Sequence, residues 1–377
     1  PTDIQEKVLP VALEGKDLVG QSMTGSGKTL AFAIPILEKM EHDAGIQALI
    51  LAPTRELVMQ IAYEMKKISK HIKVDICEVF GGVSINPQIT KLKYADIVVG
   101  TPGRLMDHMQ RGTIDFRFLK ILVLDEADRM LDMGFIRDIR KIVRKLPEKR
   151  QTMLFSATIP DDVFRIARDY MKNPVKVVTK TDVPMDQLQQ YYTDAKQDEK
   201  ISLLIHLISK EKPTLALVFC ATRDTTDFVA NALVKNNIEA RAIHGGLTQE
   251  RRTNILEGFH RGRPHVLVAT DVAARGLDIK NVTHIFQYDS PKTTDDYKHR
   301  IGRTARIGEK GKSLLLLTQR DHEFFRKIIR DLPHIKKLRM ENFPKIKMHY
   351  HREREERRPQ RYSRHKARFG SDRRRRY

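Results

Sequence analysis

Ser22-Met23-Thr24-Gly25-Ser26-Gly27-Lys28-Thr29 is the stretch that decides the fold of this chain. It follows directly on an apolar run, Asp17–Gln21, and opens a segment with helical periodicity. Glycines at such a junction let backbone N–H groups turn inward around phosphate oxygens, and the N-terminus of the ensuing helix adds a positive partial charge. Lys28 offers a point charge to the β- and γ-phosphates of a nucleotide, and Thr29 a hydroxyl to Mg²⁺. The general pattern has Gly where Ser22 stands, so the strict motif is missed by one small residue. A Gly/Ser-rich loop that merely precedes a lysine is the plain alternative. The strand–loop–helix setting favours nucleotide binding.

A strand feeding such a loop and helix is the first unit of a parallel α/β sheet, and the sequence repeats the unit outward from it. Runs apolar on nearly every residue recur at Ala48–Ala52, Asp75–Phe80, Ala95–Gly100, Ile121–Leu124 and Thr152–Phe155. That pattern suits parallel strands covered by helices on both faces. A second series runs through Leu215–Cys220, Ala240–Ile243, His265–Ala269, His284–Tyr288 and Ser313–Leu317. Helical patterns lie between them, among them Glu56–Lys70, Asp224–Asn236 and Gln249–Phe259. The polar, weakly periodic Thr179–Asp186 separates the two series. The expected class is α/β, with two tandem parallel-sheet domains over residues 1–178 and 187–344, a linker over 179–186 and a basic tail over 345–377.

A phosphate-binding loop needs a second carboxylate centre, and Ile121–Leu124 runs straight into Asp125-Glu126-Ala127-Asp128. A carboxylate at a strand's C-terminal end can face the metal of a phosphate held by the first βα loop. Asp125 is then the Mg²⁺-side residue, and Glu126 the group that positions and deprotonates the attacking water. An ordinary acidic helix N-terminus reads equally well by itself; beside the loop, hydrolysis is favoured. In the second domain His299-Arg300-Ile301-Gly302-Arg303-Thr304-Ala305-Arg306 gathers four strong donors suited to phosphate oxygens. If they reach a nucleotide held by the first domain, catalysis depends on domain closure. A surface salt-bridge cluster is the alternative.

The 377 residues carry a net charge of +21, ten units of it in residues 345–377, which points to a polyanion partner such as nucleic acid. Arg352–Arg376 is too rich in Arg and Glu to fold alone and is expected to be disordered. Tyr350, Tyr362, Phe369 and Tyr377 among those cations could stack on bases, although a solubilising tail is the alternative. No apolar run is long enough to span a bilayer, and Pro1-Thr2-Asp3-Ile4-Gln5 has no secretory character, so no membrane role is expected. The absent initiator Met suggests upstream residues. Cys77 and Cys220 are too few for a disulfide framework or a zinc site and fit a reducing, cytoplasmic compartment. The 14 histidines show no paired metal spacing, so no transition metal is expected. Met130 and Met133 read as packing, Cys220 as inert, and Lys141, Arg144 and Lys145 as a solvated face.

Taken in order, these blocks resemble the DEAD-box RNA helicases of helicase superfamily two. The resemblance covers about residues 1–335. It rests on Pro1-Thr2-Asp3-Ile4-Gln5, Ser22–Thr29, Pro53-Thr54-Arg55-Glu56-Leu57, Gly81-Gly82, Thr101-Pro102-Gly103-Arg104, Asp125–Asp128 and Ser156-Ala157-Thr158. It continues with Val218–Thr222, Gln249-Glu250-Arg251-Arg252, Thr270–Asp278 and His299–Arg306. It implies two RecA-like domains with ATP and RNA in the cleft between them. Carried over by position, Gln5 reads adenine, and Ser22, Met23, Thr24, Gly25, Ser26, Gly27, Lys28 and Thr29 hold the phosphates. Asp278 meets the ribose, and Arg303 and Arg306 are arginine fingers. The RNA backbone falls to Pro53, Thr54, Arg55, Gly82, Thr101, Arg104 and Thr270, with RNA distinguished from DNA through its 2′-OH. Asp128, Ser156, Thr158 and His299 form an interdomain relay. The resemblance also implies a monomer.

Four features depart from the family pattern. Ser22 stands for a usual Ala, Met23 for a polar residue and Ala305 for a Gly. An upstream aromatic is absent because the chain begins at Pro1, so Gln5 is expected to fray. The leading functional expectation is an RNA-dependent ATPase that unwinds short RNA duplexes. The alternative is an ATP-gated RNA clamp with slow turnover; a duplex-DNA translocase is disfavoured by the Asp-Glu-Ala-Asp and Gln5 signatures.

Overall fold

A computed structural model of the protein describes residues 1–22, 25–41, 44–179, 188–274, 282–304, 311–340 and 342–346. The strands of the first series are β1 (Leu18–Gln21), β2 (Ala48–Leu51), β3 (Ile76–Val79), β4 (Ile97–Gly100), β5 (Ile121–Leu124), β6 (Gln151–Ser156) and β7 (Val175–Val178). Those of the second are β8 (Leu188–Asp194), β9 (Ala216–Cys220), β10 (Ala240–Ile243), β11 (Val266–Thr270), β12 (His284–Gln287), β13 (Gly311–Leu317) and β14 (Lys336–Lys337). They form two seven-stranded sheets, ordered β3-β4-β2-β5-β6-β1-β7 and β10-β11-β9-β12-β13-β8-β14. Every pairing in both is parallel. The two orders are one permutation, so each strand of the first sheet has a counterpart in the second.

Alternation of side chains along a strand explains why the central strands are apolar throughout. Ala48, Ile50, Val99 and Val123 point to one face, where they pack with Phe32 and Ile36 of the helix Lys28–Glu38 and with Val58 and Ile61 of the helix Arg55–Ile68. Leu49, Leu51, Val98 and Leu122 point to the other, against Leu105, Ile139, Ile142 and Val163. The register sets Leu51 beside Leu124 and Leu124 beside Leu154, with Gln21 beside Ser156 two residues further on. The loops leaving β1, β6, β2 and β5 therefore all leave one edge of the sheet, β1 and β6 extending two residues beyond β2 and β5.

The strands β7, β8 and β14 escaped the sequence pattern. Two are sheet edges, and β8 reads Leu-Gln-Gln-Tyr-Tyr-Thr-Asp, with alternating buried and exposed residues at its start. Thr179, placed by its polarity at the head of the linker, donates through N and Oγ1 to the Gln21 carbonyl at 3.0 and 3.2 Å. The rest of the predicted linker and the tail from Lys347 lie outside the described residues. Among the described residues no helix is long and apolar enough to cross a membrane.

Candidate functional site

All the sequence-predicted groups of the first domain within the described residues, apart from Gln5, stand at the C-terminal edge of its sheet, where open α/β sheets bind ligands. They divide by strand. One group follows β1, β5 and β6; the other follows β2, β3 and β4.

At β1, Gly25 and Gly27 take φ values of 82° and 93°, left-handed conformations that glycine adopts without strain. A Cβ on Gly27 would also lie 2.5 Å from Gln5 Nε2, so any other residue here would be strained and would displace the Gln5 side chain. Ser22 is fully buried, and its hydroxyl accepts from Ser26 Oγ at 3.0 Å. The serine that replaces the motif's first glycine is thus tied into the loop. Lys28 begins its helix, is 6% exposed and donates through Nζ to the Ser22 carbonyl at 3.2 Å. Met23 and Thr24 lie outside the described residues.

Gln5 is not frayed, contrary to the expectation drawn from its place near Pro1. Thr2 and Gln5 form a capping box, Thr2 N donating to Gln5 Oε1 at 3.0 Å, while Gln5 Nε2 donates to the Gly27 carbonyl at 3.0 Å. Local capping therefore holds the side chain against the phosphate loop.

Asp125 follows β5 and accepts from the Glu126 N–H at 2.9 Å. Burial pushes its carboxyl up to about 6, with the Lys28 ammonium opposing and the Glu126 charge adding to the rise. Glu126 is 4% exposed and takes φ 51°, ψ 51°. Its Oε2 accepts from Arg129 Nη1 at 3.0 Å, a partner the sequence reading missed. Asp128 meets the residues after β6. Its N–H donates to Ser156 Oγ at 3.1 Å, and its Oδ2 accepts from Thr158 N and Oγ1 at 2.9 and 3.0 Å. His299 Nε2 approaches the same oxygen at 4.0 Å from the helix Thr294–Ile301 of the second domain. Burial alone would raise the Asp128 carboxyl, yet His299, the Thr158 N–H, Lys28 and Arg129 together hold it below its ordinary value.

The second group begins with Pro53 and Thr54. Thr54 caps the helix Arg55–Ile68 by accepting from Leu57 N at 3.3 Å. The Arg55 guanidinium lies where a Cβ on Gly82 would be, 2.0 Å from Nη1, and Gly82 has φ 78°. Thr101 caps the helix Pro102–Gln110 positionally, its N–H donating to Val79 O at 2.9 Å. Arg104 donates from Nη2 to Val83 O at 2.9 Å, leaving Nη1 buried with no hydrogen-bond partner among the described residues. Glycines that let a chain approach closely, beside an arginine with a spare donor, suit a phosphodiester backbone.

Three residues without an assigned role bridge the domains. Glu56 Oε1 accepts from Arg252 Nη2 at 2.8 Å, and Gln249 bonds Arg55 and Glu56, both at 3.4 Å. Thr270 ends β11 and accepts from Ala273 N at 3.4 Å. Arg303 is buried at the foot of the helix Thr294–Ile301. Arg300, one of the four donors gathered by the sequence, is held in a structural ion cluster. It makes two 2.7 Å bonds to Asp271, bonds Gln287 and the Asp289 carbonyl, and lies over the Phe219 ring. Asp278, Ala305 and Arg306 lie outside the described residues. Lys141, Arg144 and Lys145 are exposed, Met130 is core, and burial raises the Cys220 thiol well above its ordinary value.

Comparison with known proteins agrees with this arrangement. A DEAD/DEAH box helicase model matches residues 2–166, and a helicase conserved C-terminal domain model matches residues 199–308. The chain is 46% identical to the DEAD-box ATP-dependent RNA helicase CshA of Bacillus cereus, over 85% of this chain and 62% of that protein. It is 45% identical to CshA of Geobacillus kaustophilus, over 85% of this chain and 69% of the relative. The chain thus spans less than two thirds of the Bacillus protein's length. S. cerevisiae Dbp5 bound to RNA and ADP BeF3 superposes with a TM-score of 0.82 at 33% identity, covering 90% of each chain. The two sheets are therefore tandem RecA-like domains, and the chain belongs to the DEAD-box RNA helicase family.

Proposed function

We propose that this chain is an RNA-dependent ATPase that locally separates or remodels short RNA duplexes and RNA–protein complexes. The observation that carries the reading is the division of one sheet edge: a phosphate loop and carboxylates after β1 and β5, a backbone cradle after β2, β3 and β4, and His299 reaching Asp128 between them. In this reading residues 1–178 and 187–344 are the closing domains, 179–186 the linker and 345–377 an RNA-binding tail. The protein acts as a cytoplasmic monomer.

Gln5 reads the adenine, and Ser22–Thr29 enclose the phosphates, with Lys28 leaving the Ser22 carbonyl for the β/γ-oxygens. Asp278 holds the ribose. Glu126 orients the attacking water and takes its proton, while Arg303 and Arg306 neutralise charge on the departing phosphoryl group. Pro53, Thr54, Arg55, Gly82, Thr101, Arg104 and Thr270 grip the RNA backbone. Asp128, Ser156, Thr158 and His299 transmit closure, so RNA binding completes the hydrolytic site.

The oxygen donors Asp125 and Thr29 fit Mg²⁺, which is commonly bound by one carboxylate together with substrate phosphates rather than by a protein cage. When bound it would supply positive charge that neutralises the phosphate oxygens. Glu126→Gln tests the core of the reading. ATP and RNA affinities stay within about threefold, while turnover falls about 10²–10⁴-fold, the range for a lost general base. Wild-type turnover in this variant would remove Glu126 from its role.

A further inference from the structure

Among the largest fully buried side chains of the molecule is an arginine with no place in the mechanism above. Arg129 is 1% exposed, and its Nη1 donates to Glu126 Oε2 at 3.0 Å. Its Nη2 is buried with no hydrogen-bond partner among the described residues. Its backbone N–H donates to Asp128 Oδ1 at 3.0 Å.

The carboxylate it holds has an unusual backbone. Of the non-glycine residues with positive φ among the described residues, two are asparagines, which tolerate that region, and Lys212 closes a helix. Glu126 is the remaining one, with φ 51° at the N-cap of the helix Ala127–Asp132. Strain of this kind persists only where surrounding contacts over-determine it, and it gathers at functional sites. Asp125 Oδ1 holds the Glu126 N–H, and Arg129 holds its carboxylate one turn on. The residue is thus gripped at both ends. A guanidinium is planar and directional, so one N–H···O bond fixes the carboxylate while the second oxygen stays open to a water.

We propose that Arg129 is the positioning residue for Glu126: it aims the carboxylate, and its second nitrogen supplies a buried donor beside the attacking water. The inference rests on Glu126 being the general base. The residue acts through Glu126 and the water, so its loss lowers turnover and spares affinity. A displacement of about 1 Å is enough to cost about 10²-fold in rate.

The test uses Arg129→Gln, Arg129→Lys and Glu126→Gln in the whole chain, with ATP and RNA affinities and thermal melting measured for each. Arg129→Gln is expected to lower kcat about 10²-fold with KM for ATP and RNA within about threefold, and Arg129→Lys to restore at least about tenfold of that loss. In the Glu126→Gln background, Arg129→Gln is expected to change the residual rate by less than about threefold, because its target is already gone. The inference is overturned if kcat of Arg129→Gln stays within about threefold of wild type, or falls only in step with ATP binding and melting. It is equally overturned if the loss adds in full on Glu126→Gln. Failure of the underlying reading is distinguishable, because then Glu126→Gln itself turns over like the wild type.

Discussion

The two sheets share one strand order, yet the loop after the first strand of one is glycine-rich and its counterpart in the other is not, and the lysines that follow those loops differ accordingly. Lys28 opens the helix after β1, and Lys200 opens the helix after β8, the counterpart of β1. Each has an aspartate beyond the counterpart central strand: Asp125 after β5, Asp289 after β12. In the first domain the loop is glycine-rich, the first helical turn holds no acid, and Lys28 rests on a backbone carbonyl that a phosphate can displace. In the second the loop reads Ala195-Lys196-Gln197-Asp198-Glu199, without glycine and with a carboxylate at the N-cap. That carboxylate makes no cap hydrogen bond and pairs with Lys345 at 2.6 Å, and its negative charge at the helix start disfavours a bound anion. Lys200 is 2% exposed and closes on Asp289 and Asp321 at 3.6 and 3.4 Å, with the Tyr288 ring 4.9 Å away. Asp289 in turn accepts from the Ala221 N–H at 2.7 Å, fixing the loop after β9. The same scaffold carries a lysine resting on a backbone carbonyl once and a lysine closed into an ion cluster once. The difference lies in whether the loop presents N–H groups or carboxylates.

Substituting the two lysines is the strongest way to break this comparison. Lys28→Ala is expected to cut hydrolysis by about 10²–10³-fold, the scale for a lost preorganised donor, without lowering the melting temperature. Lys200→Ala is expected to do the reverse: it strands two partly buried carboxylates, costing about 3 kcal/mol in denaturant unfolding, while ATP affinity is unchanged. ATP affinity falling as far in Lys200→Ala as in Lys28→Ala would mean that the second cluster is not closed. A smaller effect sharpens the picture of the second half. Removing Arg352–Tyr377 is expected to weaken RNA binding and flatten its salt dependence, because released counterions scale with the phosphates contacted. An unchanged slope would assign the tail elsewhere.

Legibility followed the same division. The phosphate loop could be read because glycine spacing and a following lysine have few other uses, and β2 and β5 because four consecutive apolar residues suit a strand covered on both faces. The strands β7 and β14 at the sheet edges, and the partly exposed β8, carry polar residues that resemble loop. Arg129 escaped notice because Glu and Arg three apart on a helix normally form a solvated pair; only packing reveals that this one is buried. The structural role of Arg300 was hidden for a related reason. Its partner Asp271 lies 29 residues away, and local sequence could not tell a structural arginine from its neighbour Arg303. The bridge between Glu56 and Arg252 joins helices 196 residues apart and exists only once both domains are folded.

The most direct test of the central claim, that RNA on one half of a sheet edge completes the nucleotide site on the other, is phosphate release from Mg·ATP. It is measured alone, with single-stranded RNA, and with matched single-stranded DNA. The account predicts strong stimulation by RNA and none by DNA. Equal rates under all three conditions would contradict it.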